Sequence, residues 1–115
     1  MVIRKNNLTA FDFHGLAIFD FTAGINASSS FAVIEVPPGA RHGRAKSNRS
    51  DKYYYVERGS VSFQLDGQEH ALAEGDFCLV KQGKAFAYRN DTSEPARLIL
   101  VHTPSFDPGA EEFIP

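Results

Sequence analysis

Ser60 to Leu72 reads SVSFQLDGQEHAL. Val61, Phe63 and Leu65 alternate with polar residues, so an extended chain places all three on one face of a strand. Asp66-Gly67 then supplies the pair of residues that a two-residue hairpin turn favours, and Glu69 to Leu72 returns as the second strand. A lone hairpin is marginal in water, so its apolar face must be covered by other strands.

Segments of the same kind recur on both sides. Ser30 to Val36 reads as a strand ended by Pro37-Pro38-Gly39, because tandem prolines remove two ladder donors and glycine tolerates the turn. Asp51 to Glu57 is a second, stopped by Gly59, and Asp76 to Val80, Ala85 to Arg89 and Ala96 to His102 complete the series. Gly75, Gly83 and the loop from Asn90 to Pro95 separate them, and amphipathic stretches of helical length are missing. Short glycine-bounded strands bury apolar side chains only around a closed or sandwiched core, so the reading is all-β, a small barrel. Pro104 to Pro115 reads as a loosely packed or partner-docked extension.

The chain has 115 residues, which suits one domain spanning 1–115. Its 43% hydrophobic and 23% charged residues are those of an ordinary globular protein, and a formal charge of -2 argues against a nucleic-acid partner. No apolar run is long enough to cross a bilayer, and Met1 to Lys5 leads into polar residues rather than a signal-peptide core, so no membrane partner and a cytoplasmic location are expected. The lone cysteine, Cys78, fits a reducing compartment and reads as a small buried hydrophobe.

From Gly39 to Asn90 the spacing resembles the two motifs of the cupin superfamily. The first, G-x5-H-x-H-x4-E-x6-G, falls on Gly39, Ala45, Ser47, Lys52 and Gly59; the second, G-x5-P-x-G-x2-H-x3-N, falls on Gly75, Lys81, Gly83, Phe86 and Asn90. The resemblance implies a jelly-roll barrel of two antiparallel sheets, commonly homodimeric, with a pocket at one open end. It also implies scaffold roles for Gly59, Gly75 and Asn90.

In metal-dependent members two histidines and a glutamate of the first motif and a histidine of the second hold a divalent ion. Here those positions carry Ala45, Ser47, Lys52 and Phe86, and a lysine brings positive charge to the place of a cation. The expectation is therefore no metal there and no cofactor. A site rebuilt from His42, His102 and Asp51 is the minor alternative.

If Lys52 takes the inward direction of the family glutamate, strand alternation brings Tyr54 and Val56 to the same face, and Tyr88 follows Phe86. Ser47, Lys52, Tyr54, Phe86 and Tyr88 then line an aromatic pocket suited to a small anionic or carbonyl-bearing ligand. Desolvation would lower the pKa of Lys52 toward that of a general base, Tyr54 would donate to a developing oxyanion, and His42 or His102 could assist. Plainer readings stand beside these. Lys52 can reach solvent or pair with Asp51 or Glu35, Phe86 can be core filling, His102 can be a hydrogen-bonded core or interface residue, and His14 and His70 read as surface residues away from the pocket. With three tyrosines in a row, Tyr53 to Tyr55, at least one faces the other side of the sheet, where a dimer partner is expected. The basic run Arg41, Arg44, Lys46, Arg49 and Lys52 is either an anion-attracting mouth or a solvated loop.

Two functions of different class follow. One is a metal-independent isomerase, epimerase, cyclase or lyase acting on a small oxygenated metabolite. The other is a module that binds a ligand or dimerises without turnover. A metal-dependent dioxygenase is disfavoured by the missing ligands.

Overall fold

The computed structural model describes residues 1–115 and is nearly all strand. Eleven strands, β1 (Phe11–Phe13), β2 (Leu16–Asp20), β3 (Ser30–Val36), β4 (Arg41–Ser47), β5 (Asp51–Arg58), β6 (Ser60–Leu65), β7 (Gln68–Ala73), β8 (Phe77–Val80), β9 (Phe86–Arg89), β10 (Ala96–Thr103) and β11 (Glu111–Phe113), form two antiparallel sheets. One runs β1-β2-β3-β10-β5-β8 and the other β11-β4-β9-β6-β7, the arrangement of a jelly-roll barrel. No helix is long and apolar enough to cross a membrane.

Alternation sets the inner face. Ala32, Ile34 and Val36 of β3, Tyr54 and Val56 of β5, Leu98 and Leu100 of β10, and Val61 and Phe63 of β6 are all buried while their neighbours point outward. Asp66 and Gly67 both have positive φ, 51° and 80°, and join β6 to β7 as the sequence anticipates. Phe13 and Leu16 are directly paired across a second two-residue turn, His14-Gly15, in which both residues again have positive φ. Asn90 is fully buried and spends its whole amide: Nδ2 donates to the carbonyls of Val36 and Glu94, while Oδ1 accepts from the Thr92 amide and hydroxyl.

Gly59 shows why the first motif ends in glycine. Its φ is +73°, and a Cβ added there would lie 2.7 Å from the Pro95 carbonyl oxygen, a backbone atom that cannot swing away. Gly59→Ala is expected to cost about 2 kcal/mol or more in a urea melt; a change below about 0.5 kcal/mol, the range of inert surface substitutions, would contradict this.

Besides β1 and β2, which the sequence reading does not name, two segments differ from it. The basic run is no solvated loop: Arg41–Ser47 is strand β4, whose alternation is broken by a bulge at Gly43-Arg44. Of its cations, Lys46 pairs with Glu112, Arg49 Nε donates to the Ser105 carbonyl, and Lys52 points inward. The tail is not loosely packed either. Ser50 Oγ donates to the Pro104 carbonyl, Asn48 N to Ala110 O and Ile114 N to Arg44 O, and β11 adds an edge strand to β4 with Glu111 opposite Ser47. Three residues with no alternation leave no strand signature, so only long-range pairing reveals this element.

Candidate functional site

A cavity of about 530 Å³ opens between the sheets, a size that suits a small ligand. Its inner end is closed by stacked rings: Phe63 lies nearly parallel to Phe86 and to Tyr88, with Tyr54 edge-on to Phe63. Register divides the wall into a polar and an aromatic part. Ser30, His102 and Lys52 are successive partners across β3, β10 and β5, while His42 of β4 is paired with Tyr88 of β9.

His42 owes its setting to the bulge. Phe13, Phe86, Tyr88 and Phe113 surround its ring at centroid separations of 5.0 to 5.9 Å. Its Nδ1 lies 2.6 Å from the Gly43 carbonyl, which can only accept, so Nδ1 carries the proton and Nε2 keeps its lone pair. Burial lowers its pKa below the usual 6.5 and the Lys52 charge adds to this, while the Gly43 contact and Glu111 oppose it. The ring is thus neutral at neutral pH, with a free basic nitrogen.

Tyr54 and Tyr88 are buried, and burial raises both phenol pKa values, so both are proton donors. The Tyr88 hydroxyl is shut away from solvent and has no hydrogen-bond partner. A buried unsatisfied hydroxyl costs about 1–3 kcal/mol, which a ligand oxygen or a water would relieve.

Lys52 is only 3% exposed. Its ammonium donates to Glu111 of β11 and, at 2.9 Å, to Nε2 of His102. Burial lowers its pKa, while the charge of the Glu111 carboxylate and the hydrogen bond to it work against that. The partner is neither Asp51 nor Glu35, the two carboxylates nearest to hand in the sequence reading. Asp51 points the other way, accepting from Gln82 N and pairing with Lys81, and Glu35 is held by Arg97 and Lys5.

Two of the expected lining residues are not in the cavity wall. Ser47 Oγ faces the turn that follows β4, accepting from Ser50 N and Arg49 N, and Phe86 lies one layer deeper, under His42 and Tyr54. Lys52, Tyr54, Tyr88, His42 and His102 do come together around the cavity. Joining them are Glu111, Asp20, Ser30 and the rings of Phe11, Phe13 and Phe113, none of which the motif spacing marks. His14 rests edge-on against Phe113 at the rim, whereas His70 is exposed on β7.

The fold and the motif spacing are matched by comparison with known families. Residues 32–102, well over half of the chain, match the family described as the cupin domain. The chain belongs to the cupin family. The tetracenomycin polyketide synthase protein TcmJ of Streptomyces glaucescens is 29% identical to this cupin over 71% of the chain and 56% of its own length. The chain spans about half the length of the curated relatives it matches. Among solved structures, Streptomyces Pac13, described as a nucleoside dehydratase, superposes with a TM-score of 0.86 at 18% identity over 99% of this chain and 90% of that one. A sugar phosphate isomerase of the superfamily from Silicibacter pomeroyi superposes with a TM-score of 0.70 at 22% identity, over 77% and 59%. Likeness at these identities establishes the shared fold.

At the family's ligand positions this cupin does not fit a divalent ion. Ala45 and Phe86 have no donor atom, Ser47 Oγ is committed to backbone amides, and Lys52 places an ammonium there. Nor does the alternative set assemble, because Asp51 lies on the opposite face of β5 from Lys52, and no three His, Cys, Asp or Glu side chains converge.

The buried imidazoles give this cupin a pH signature. Burial, with Lys52 second, pushes the pKa of His102 down to about 3, against 6.5 in an unfolded chain. As pH falls below 6.5 the unfolded chain takes up a proton that the folded chain refuses, so stability is lost with acid, and His42 acts in the same direction. Urea melts between about pH 7.5 and pH 5 should lose up to roughly 1.4 kcal/mol per pH unit for each such histidine. His102→Gln should flatten the slope, and a wild-type profile that is already flat would contradict the assignment.

Proposed function

We propose that the protein is a metal-independent cupin that binds a small oxygenated molecule in this cavity and transfers a proton within it, with His42 as general base. The observation that carries the reading is the free Nε2 of a neutral His42 in a cavity whose wall also includes Tyr54 and Tyr88. A C–H next to a carbonyl gives its proton to Nε2, its electron pair moves into a C=C bond, and negative charge collects on the carbonyl oxygen. Tyr54 and Tyr88 donate to that oxygen, and the Lys52 ammonium supplies fixed positive charge nearby. Reprotonation at another atom is isomerisation, and departure of a β-hydroxyl as water, with a proton returned by the imidazolium, is dehydration. The names of the structural neighbours, a nucleoside dehydratase whose histidine and tyrosine variants are described with uridine and a sugar phosphate isomerase, support this class of substrate and reaction.

The test is to assay chelator-treated protein against a panel of β-hydroxy carbonyl compounds and nucleosides, with thermal melts alongside. Ligands that raise the melting temperature and are turned over without added metal are the expected result. Ligands bound without turnover would make the barrel a binding module, and turnover only with added metal would overturn the proposed chemistry.

The same reading takes the protein as a cytoplasmic homodimer. Register aligns two rows on the outer face of the six-stranded sheet, Phe19, Val33, Ile99, Tyr55 and Phe77, and beside it Phe31, Val101, Tyr53 and Leu79. Glu35, Arg97 and Arg58 form a charged row next to them. A second copy related by a two-fold axis buries apolar rows against apolar rows and leaves the charged rows at the rim. Sedimentation equilibrium should give twice the chain mass, with Tyr55→Glu shifting it toward the monomer; a wild-type monomer at all concentrations would exclude the dimer.

A further inference from the structure

We propose that the Lys52 ammonium occupies a latent divalent-metal site, with two ligands, His102 and Glu111, already in place around it. The barrel thereby carries its own fixed cation where an ion would otherwise sit. Lys52 stands at the motif position of the family's glutamate ligand, but the groups that hold its ammonium, His102 on β10 and Glu111 on β11, lie outside both motifs.

Their chemistry is that of metal ligands. His102 offers Nε2 to a cation at 2.9 Å, and a carbonyl-like acceptor role for that nitrogen requires the neutral, Nδ1-protonated ring that also binds zinc or cobalt. Glu111 offers a carboxylate oxygen to the same ammonium. A metal bonds such atoms at about 2.0–2.2 Å, the space that the ammonium fills, so lysine and metal exclude each other. Two ligands do not make a site, which agrees with the absence of any converging trio.

Lys52→His removes the ammonium and adds the third ligand, giving two histidines and a carboxylate, a set that binds zinc in catalytic sites and iron in oxygenases. Its shorter side chain leaves room for the metal–ligand bond.

The test is a cobalt(II) titration of chelator-stripped protein followed by visible absorption. Lys52→His should take up one Co²⁺ per chain about 100-fold or more tighter than wild type, as expected when a third ligand completes the set. Adding Glu111→Gln to that variant should abolish the gain, and Lys52→Met, which removes the charge without adding a ligand, should not show it. Should Lys52→His fail to fold by circular dichroism, Lys52→Glu carries the same titration. Folded variants without uptake would overturn this inference and leave the proposed acid–base chemistry standing. One-to-one uptake by wild type would overturn both.

Discussion

His42→Gln is expected to reduce turnover by about 100- to 10,000-fold, the range that a positioned general base supplies. Glutamine retains polarity and approximate size, so the four rings around the site keep a partner and thermal stability should change little. Its amide has no basic nitrogen, so the proton acceptor is lost while the cavity stays intact. Ligand affinity should therefore stay within a few-fold of wild type, and the loss should appear in kcat. In wild type, kcat/KM should rise with pH through a pKa below 6.5 and then level, because burial holds the free base available at neutral pH. A variant that loses binding and turnover together would make His42 a wall of the pocket and not its base.

Glu111→Ala should produce the largest loss of stability. The Lys52 side chain is 4% exposed and the Glu111 side chain 21% exposed, so removing the carboxylate strands an ammonium with His102 as its one remaining partner. Breaking a buried pair from one side costs about 3–5 kcal/mol, and the partial exposure of Glu111 argues for the lower end, about 3 kcal/mol. For a chain of this size that is a fall in melting temperature of roughly 10 °C. Removing both charges together, Lys52→Met with Glu111→Leu, should recover most of the loss, since apolar replacements of a buried pair are often neutral. The cycle of single and double variants read by urea melts decides the point: additive losses would mean that the two side chains are not energetically coupled.

The dependence of Lys52 on Glu111 also marks how far the sequence is legible. The inward direction of Lys52, and of Tyr54 beside it, follows from period-two alternation within a strand, and the structure places both at the cavity. The neutralising partner lies 59 residues further on, at a place where Glu111-Glu112-Phe113 has neither alternation nor β-branched residues. No local rule marks such a segment, and only its pairing with β4 brings the carboxylate to the ammonium. Strand β4 escapes notice for a related reason: the bulge at Gly43-Arg44 breaks the alternation and makes a strand look like a basic loop. That same bulge brings the Gly43 carbonyl to His42, so the irregularity that hides the strand also sets the tautomer of the base. Strands β1 and β2 did carry a signal, the His14-Gly15 turn between Phe13 and Leu16, which works as Asp66-Gly67 does although histidine is an uncommon turn residue. Alternation gives the face of a strand and not the depth of the layer, so it cannot show that Ser47 and Phe86 lie outside the cavity wall. Ser47 faces inward but spends its hydroxyl on the turn, and Phe86 faces inward beneath the cavity.

The most direct check on a neutral base in a barrel with its own cation is a pH titration of the histidine rings by nitrogen-15 NMR, repeated with zinc present. His42 should be neutral with the proton on Nδ1 from neutral pH down past 6.5, and the His102 signals should not move when zinc is added. A His42 that charges above pH 6.5 or carries its proton on Nε2, or a His102 that shifts stoichiometrically with zinc, would contradict the account.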